Sequence, residues 1–211
     1  FGQNEDDLIN NARFAQVMYN SRYQGFTAPV RPTIYAETDT GTVRIYWNDA
    51  AENSTDVLTG YCDFEGYRIY KSTDGGENWG DAADMIYDNN GLFVGWRPFV
   101  QFDLSREMDS LHCIYINSYD CGRKDRRGHG IQGQDPFYPW FNLGHDTGLD
   151  RVMLPEAEWK VVNSDTFKYI YEDRDVIDGL EYTYSIVAYD MGVEPAYSTR
   201  YINIGNGEFE S

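Results

Sequence analysis

Apolar and polar residues alternate with a period of two in two stretches of the chain, on either side of a long middle that follows no such rule. The first stretch predicts strands at Thr33–Glu37 and Thr42–Trp47, paired around the turn Thr38-Asp39-Thr40-Gly41, with a third at Glu65–Lys71. Asp39 suits that turn because its carboxylate bonds nearby amides, and Gly41 because it accepts positive φ. The second stretch predicts strands at 160–172 and 181–190, read as a pair, with 197–204 closing the sheet as a last edge strand. Residues 4–20 change period. Asn4 caps them, Glu5, Asp6 and Asp7 fill the first turn, and Leu8, Ala12, Ala15 and Tyr19, with Met18, form one apolar stripe at helical spacing. A lone helix of this length is marginal in water, so the stripe is expected to dock on the chain's own strands or on a preceding domain.

The division that follows is an N-terminal helix and linker arm over 1–31, a strand region over 32–205 and a tail over 206–211. Residues 80–159 form an aromatic-rich insertion. No internal repeat is present.

Charge narrows the partners. The 211 residues include 17 basic and 35 acidic side chains, a formal net of −18. Such a surface repels nucleic acid and anionic lipid and offers hard oxygen ligands for calcium. No apolar run approaches the roughly 20 residues that span a bilayer. Opening at Phe1, the chain reads as a processed mature form or a fragment of something longer. Its three cysteines, Cys62, Cys113 and Cys121, leave at least one unpaired or bonded between chains. Cys113–Cys121 is the most economical bridge, although Cys62 is either an alternative partner or a small buried residue. Cysteines of this kind favour an oxidising compartment.

Trp47 ends the second predicted strand, Tyr67-Arg68-Ile69-Tyr70 follows it, and Tyr182 stands three residues after Gly179. In that order these positions resemble a fibronectin type III domain. The resemblance implies an all-β, immunoglobulin-like β-sandwich, with Trp47 in the core and the Tyr182 hydroxyl tied back to backbone at a turn. Longer phrases, Asp63 to Asp74, Asp135 to Gly144 and Tyr182 to Asp190, look like those of large secreted bacterial surface proteins that carry fibronectin-like modules. They imply an extracellular, cell-surface setting and supply no catalytic residues. Ser72-Thr73-Asp74-Gly75-Gly76-Glu77-Asn78-Trp79 also matches the Asp-box pattern, a tight hairpin in which Asp74 caps amides, the glycines take positive φ and Trp79 packs underneath. A single box argues against a propeller.

Within the insertion, Phe93 to Leu104 reads as an extended segment covering a sheet edge or face. Phe137, Tyr138, Trp140 and Phe141 cluster around Pro136 and Pro139 and are expected to form a small second core. If exposed, Trp96, Tyr138 and Trp140 would instead make a stacking platform for a glycan or a protein partner. Arg123, Lys124, Arg126 and Arg127 form the one basic concentration, read either as an exposed loop or as a docking patch for the acidic surface of another copy. Asp49, Glu52, Asp56 and Asp63 are the candidate calcium ligands. The three histidines, His112, His129 and His145, are too scattered for zinc. No nucleophile elbow, metalloprotease motif or phosphate-cradling loop is present, and no enzyme is expected. The sequence therefore predicts a secreted structural or adhesive protein, acting through contacts with copies of itself or neighbouring surface domains. A carbohydrate-binding or spacer module is the alternative, and an accessory domain of a larger enzyme is a third reading.

Overall fold

The computed structural model describes residues 27–55, 62, 64–105 and 147–190, a few positions near the N-terminus and two short strand pairs elsewhere. Its strands in chain order are β1 (Ile34–Asp39), β2 (Thr42–Trp47), β3 (Phe64–Ser72), β4 (Met85–Tyr87), β5 (Phe93–Trp96), β6 (Val100–Asp103), β7 (Gly133–Gln134) and β8 (Asn142–Gly144). They continue as β9 (Lys160–Val162), β10 (Asp165–Phe167), β11 (Tyr169–Asp173), β12 (Thr183–Asp190), β13 (Ile202–Asn203) and β14 (Phe209–Glu210). This is an all-β, antiparallel architecture. Two three-stranded sheets, β1-β2-β11 and β12-β3-β6, bury one shared core.

Alternation places every second residue of the central strands inward, and register stacks them in layers. Trp47 lies opposite Tyr169, Ile45 opposite Tyr171 and Val43 opposite Asp173 in the first sheet. In the second, Tyr67 faces Ala188, Ile69 faces Ile186 and Lys71 faces Tyr184. At one end the rings of Trp47, Tyr67 and Tyr169 meet, all of them buried. The middle is aliphatic. At the other end the layer is charged: Lys71 Nζ lies 2.8 Å from Asp173 Oδ2, joining one sheet to the other.

The β1–β2 hairpin turns on Thr40-Gly41, with Gly41 at φ +64 and the Thr40 amide bonded to Asp39 Oδ1 at 2.8 Å. Gly66 has a different reason to be glycine. A Cβ there would sit 2.4 Å from the Phe102 carbonyl oxygen of β6, so a side chain would push that edge strand off the sheet.

Three expectations need correction. The stretch 160–172 is not one strand: Asn163 and Ser164, at φ +51 and +75, make a two-residue hairpin turn between β9 and β10, and only β11 reaches the core. Nor do β11 and β12 pair. Both present a buried row to the same core, so they lie in opposite sheets, β11 on β2 and β12 on β3. Ile202–Asn203, from the expected closing strand, pairs with β14 rather than β12; the rest of that segment, apart from these two residues, lies outside the described residues.

Parts of the insertion enter the core. Val100–Asp103 extends the second sheet, and Phe102, Leu104, Leu149 and Val152 join its hydrophobic cluster. Buried Asp103 accepts the Thr147 amide at 2.6 Å, which joins the end of β6 to the segment that leads into Leu149 and Val152. In the N-terminal arm, Leu8, Ile9, Ala12, Ala15, Gln16 and Tyr19 have helical backbone, the residues between them lie outside the described set, and no helical element is described there. Docking of its stripe on the chain's own strands is not seen, because Leu8 and Tyr19 are 62% and 64% exposed.

The cross-sheet ion pair yields a test. Asp173→Ala strands a nearly buried ammonium and should cost about 3–5 kcal/mol in urea denaturation. The paired replacement Lys71→Met with Asp173→Leu should recover only part of it, because the Tyr184 hydroxyl and the Asp175 amide still lose their acceptor.

Candidate functional site

A cleft of about 590 Å³ opens beside the charged end of the core. One wall is the turn after β3. Ser72 Oγ donates to Asp74 Oδ1 at 2.7 Å and accepts the Gly76 amide at 2.9 Å. Asp74 also accepts the Asn78 amide at 2.9 Å and the Asn78 side-chain amide at 2.7 Å. The Asn78 backbone amide first, then the Ser72 hydroxyl and the Asn78 side chain, hold the Asp74 carboxyl down at about 2. Gly76, at φ +94, brings the backbone close to the Trp79 ring, which also meets Tyr70 edge-on at 6.3 Å.

The opposite wall is the open end of the β4–β5 hairpin. Met85 pairs with Trp96, and the Arg97 amide donates to the Asp84 carbonyl at 2.7 Å, so Asp84 and Arg97 emerge side by side. Asp84 Oδ2 accepts the Asp81 amide at 3.0 Å, and Asp81 Oδ1 accepts the Ala83 amide at 2.7 Å. The floor is aromatic and cationic. Lys71 Nζ sits 4.9 Å from the Phe99 ring centre and 4.8 Å from that of Tyr182, and it donates to the Asp175 carbonyl. Tyr182 is itself fixed, because its hydroxyl accepts the Ile177 amide at 2.9 Å.

The other end of the core holds two of the four predicted calcium ligands, engaged elsewhere. Asp49 accepts Lys168 Nζ. Glu52 accepts the Tyr67 hydroxyl at 3.2 Å and the Tyr169 hydroxyl through the same oxygen. Burial pushes the Glu52 carboxyl above its ordinary range, against the pull of those hydroxyls. Burial also raises Tyr67 and Tyr169, which keeps both as donors. No group of three or more metal-ligating side chains converges among the described residues. Asp56 and Asp63 lie outside them, as do Cys113, Cys121, Arg123, Lys124, Arg126, Arg127, Tyr138 and Trp140. Cys62 carries a thiol that donates to the Glu52 carbonyl at 2.8 Å.

Trp96 is half-buried and away from the cleft. Its ring meets Phe93 edge-on at 5.4 Å, and Phe93 meets Tyr87 at 6.2 Å, so the hairpin carries its own small aromatic cluster. Sequence reading treated Trp79 as a turn residue and did not single out Asp84, Arg97 or Phe99. The local signal was present in Gly95-Trp96-Arg97-Pro98-Phe99, but its meeting with residues 72–84 depends on strand pairing. No helix among the described residues is long and apolar enough to cross a membrane. No family model, curated protein or solved structure matches the chain.

The raised Glu52 carboxyl has a defined consequence for pH. The folded protein holds that proton more tightly than the unfolded chain, so this contribution to stability is full below about 4.5 and fades as pH rises through the raised value. As pH rises above about 4.5, the melting temperature of the native chain should therefore fall relative to that of Glu52→Gln, which carries no such proton.

Proposed function

We propose that this chain is a fibronectin type III-like sandwich module of an extracellular surface protein, structural or adhesive in role, which associates with copies of itself. The strand orders β1-β2-β11 and β12-β3-β6, Trp47 at the core end of β2, and the Tyr182 hydroxyl held by the Ile177 amide support the fold reading. The observation that carries the role is the β4–β5 hairpin. Its tip presents Tyr87 at 47%, Leu92 at 64% and Phe93 at 47% exposure on an otherwise strongly acidic chain. Exposed aromatic and apolar residues grouped on one hairpin are what a protein contact uses, and aromatic residues dominate the energetics of such contacts.

A second copy is the occupant that the local pattern of charge fits. The basic run at Arg123, Lys124, Arg126 and Arg127 complements an acidic neighbour bearing the same net of −18. A head-to-tail contact of this kind extends into a filament unless its rotation closes a ring.

Light scattering after size-exclusion chromatography tests the reading. Species larger than a monomer should form at low salt and dissociate at high salt. Phe93→Ser should weaken association about tenfold or more, and Arg126→Glu with Arg127→Glu should abolish it. A monomer under every condition would refute self-association.

A further inference from the structure

We propose that the cleft between the Ser72–Trp79 turn and the open end of β4–β5 binds a neutral saccharide. Three features point to this chemistry together. The first is size: about 590 Å³ lies within the range of roughly 300–1,000 Å³ that suits a small organic ligand. The second is the pairing of apolar and polar walls. Trp79 and Phe99, the latter 39% exposed, offer ring surface to the C–H face of a pyranose.

The third is the hydrogen-bonding inventory. Asp84 and Arg97 stand at facing positions of one hairpin, yet no ion pair joins them among the described residues. Asp84 uses Oδ2 to hold the Asp81 amide, and Asp81 uses Oδ1 to hold the Ala83 amide, which leaves each carboxylate a second oxygen. A guanidinium beside a carboxylate is a donor beside an acceptor. Adjacent hydroxyls of a sugar both give and receive, so one vicinal diol can satisfy both groups at once.

Charge selects among sugars. Asp74, Asp81 and Asp84 share this small volume, and the whole chain is acidic, so a polyuronate or sulfated glycan is repelled. Arg97 offsets one of these charges, and Lys71 offsets none, because Asp173 already neutralises it. The cleft is built by turns anchored to the core, so little ordering is required when a ligand enters.

The test uses the full chain with cellopentaose, laminaripentaose and mannopentaose, read by titration calorimetry and tryptophan fluorescence. At least one should bind saturably with a Kd on the order of 1 mM or tighter. Arg97→Ala, at an exposed position, and Asp84→Asn, which keeps an oxygen for the Asp81 amide, should each weaken that binding about tenfold without lowering the melting temperature. The proposal does not rest on self-association: Phe93→Ser, which removes one exposed ring beside the hairpin tip, should leave saccharide binding unchanged. No saturable binding by any of the three, equal binding by both site variants, or preference for oligogalacturonate would overturn it.

Discussion

Everything in this fold hangs on Trp47. Its ring is fully buried, stacked on Tyr169 of the same sheet at 5.4 Å and met edge-on by Tyr67 of the other at 5.7 Å. The indole N–H has no hydrogen-bond partner among the described residues, a cost of about 1–3 kcal/mol. Burying an aromatic side chain of this size is worth about 3–5 kcal/mol when measured by its removal, so packing outweighs the orphaned donor. The contact also sets the separation of the sheets, because three large rings fill the space between them at that end.

With the spacing set there, both ends of the core close with polar groups. At the Trp47 end, the hydroxyls of Tyr67 and Tyr169 reach the rim and converge on Glu52. At the far end, in the layer of Val43, Lys71 and Asp173 meet across the core, and Tyr184 adds a hydroxyl bond to Asp173 at 2.6 Å. Neither arrangement needs a ligand to be satisfied. The charged end nevertheless has a consequence for function: the Lys71 stem carries its ammonium between Phe99 and Tyr182 and so forms the floor of the cleft. A structural ion pair and a candidate binding surface thus share one side chain.

Local pattern revealed a large part of this. Strands β2, β3 and β12 stood out because alternation and β-branched or aromatic residues coincide there. The turn at Ser72–Trp79 was legible because serine, aspartate and paired glycines have conformational reasons that do not depend on distant residues. Other features were not legible. Asn163-Ser164 lacks a glycine, so the break between β9 and β10 is weakly marked, and two strands with equally apolar rows look like neighbours until register places them in opposite sheets. The surroundings of Glu52 were not legible for a similar reason: a carboxylate in an acidic loop has no local mark of its partners, and only the arrival of two tyrosine hydroxyls from β3 and β11 shows what it accepts.

By itself, then, the sequence determined an all-β chain with central strands around Trp47, a tight turn after Ser72 and a strongly acidic surface. These follow from short-range rules: side-chain period, turn chemistry and the sum of charges. The tertiary structure alone decided which sheet β11 and β12 join, that Lys71 reaches Asp173 across the core, and that Asp84, Arg97, Trp79 and Phe99 surround one cleft. Those are encounters between residues far apart in the chain, settled by strand register and by packing against a common core, and no local pattern encodes them.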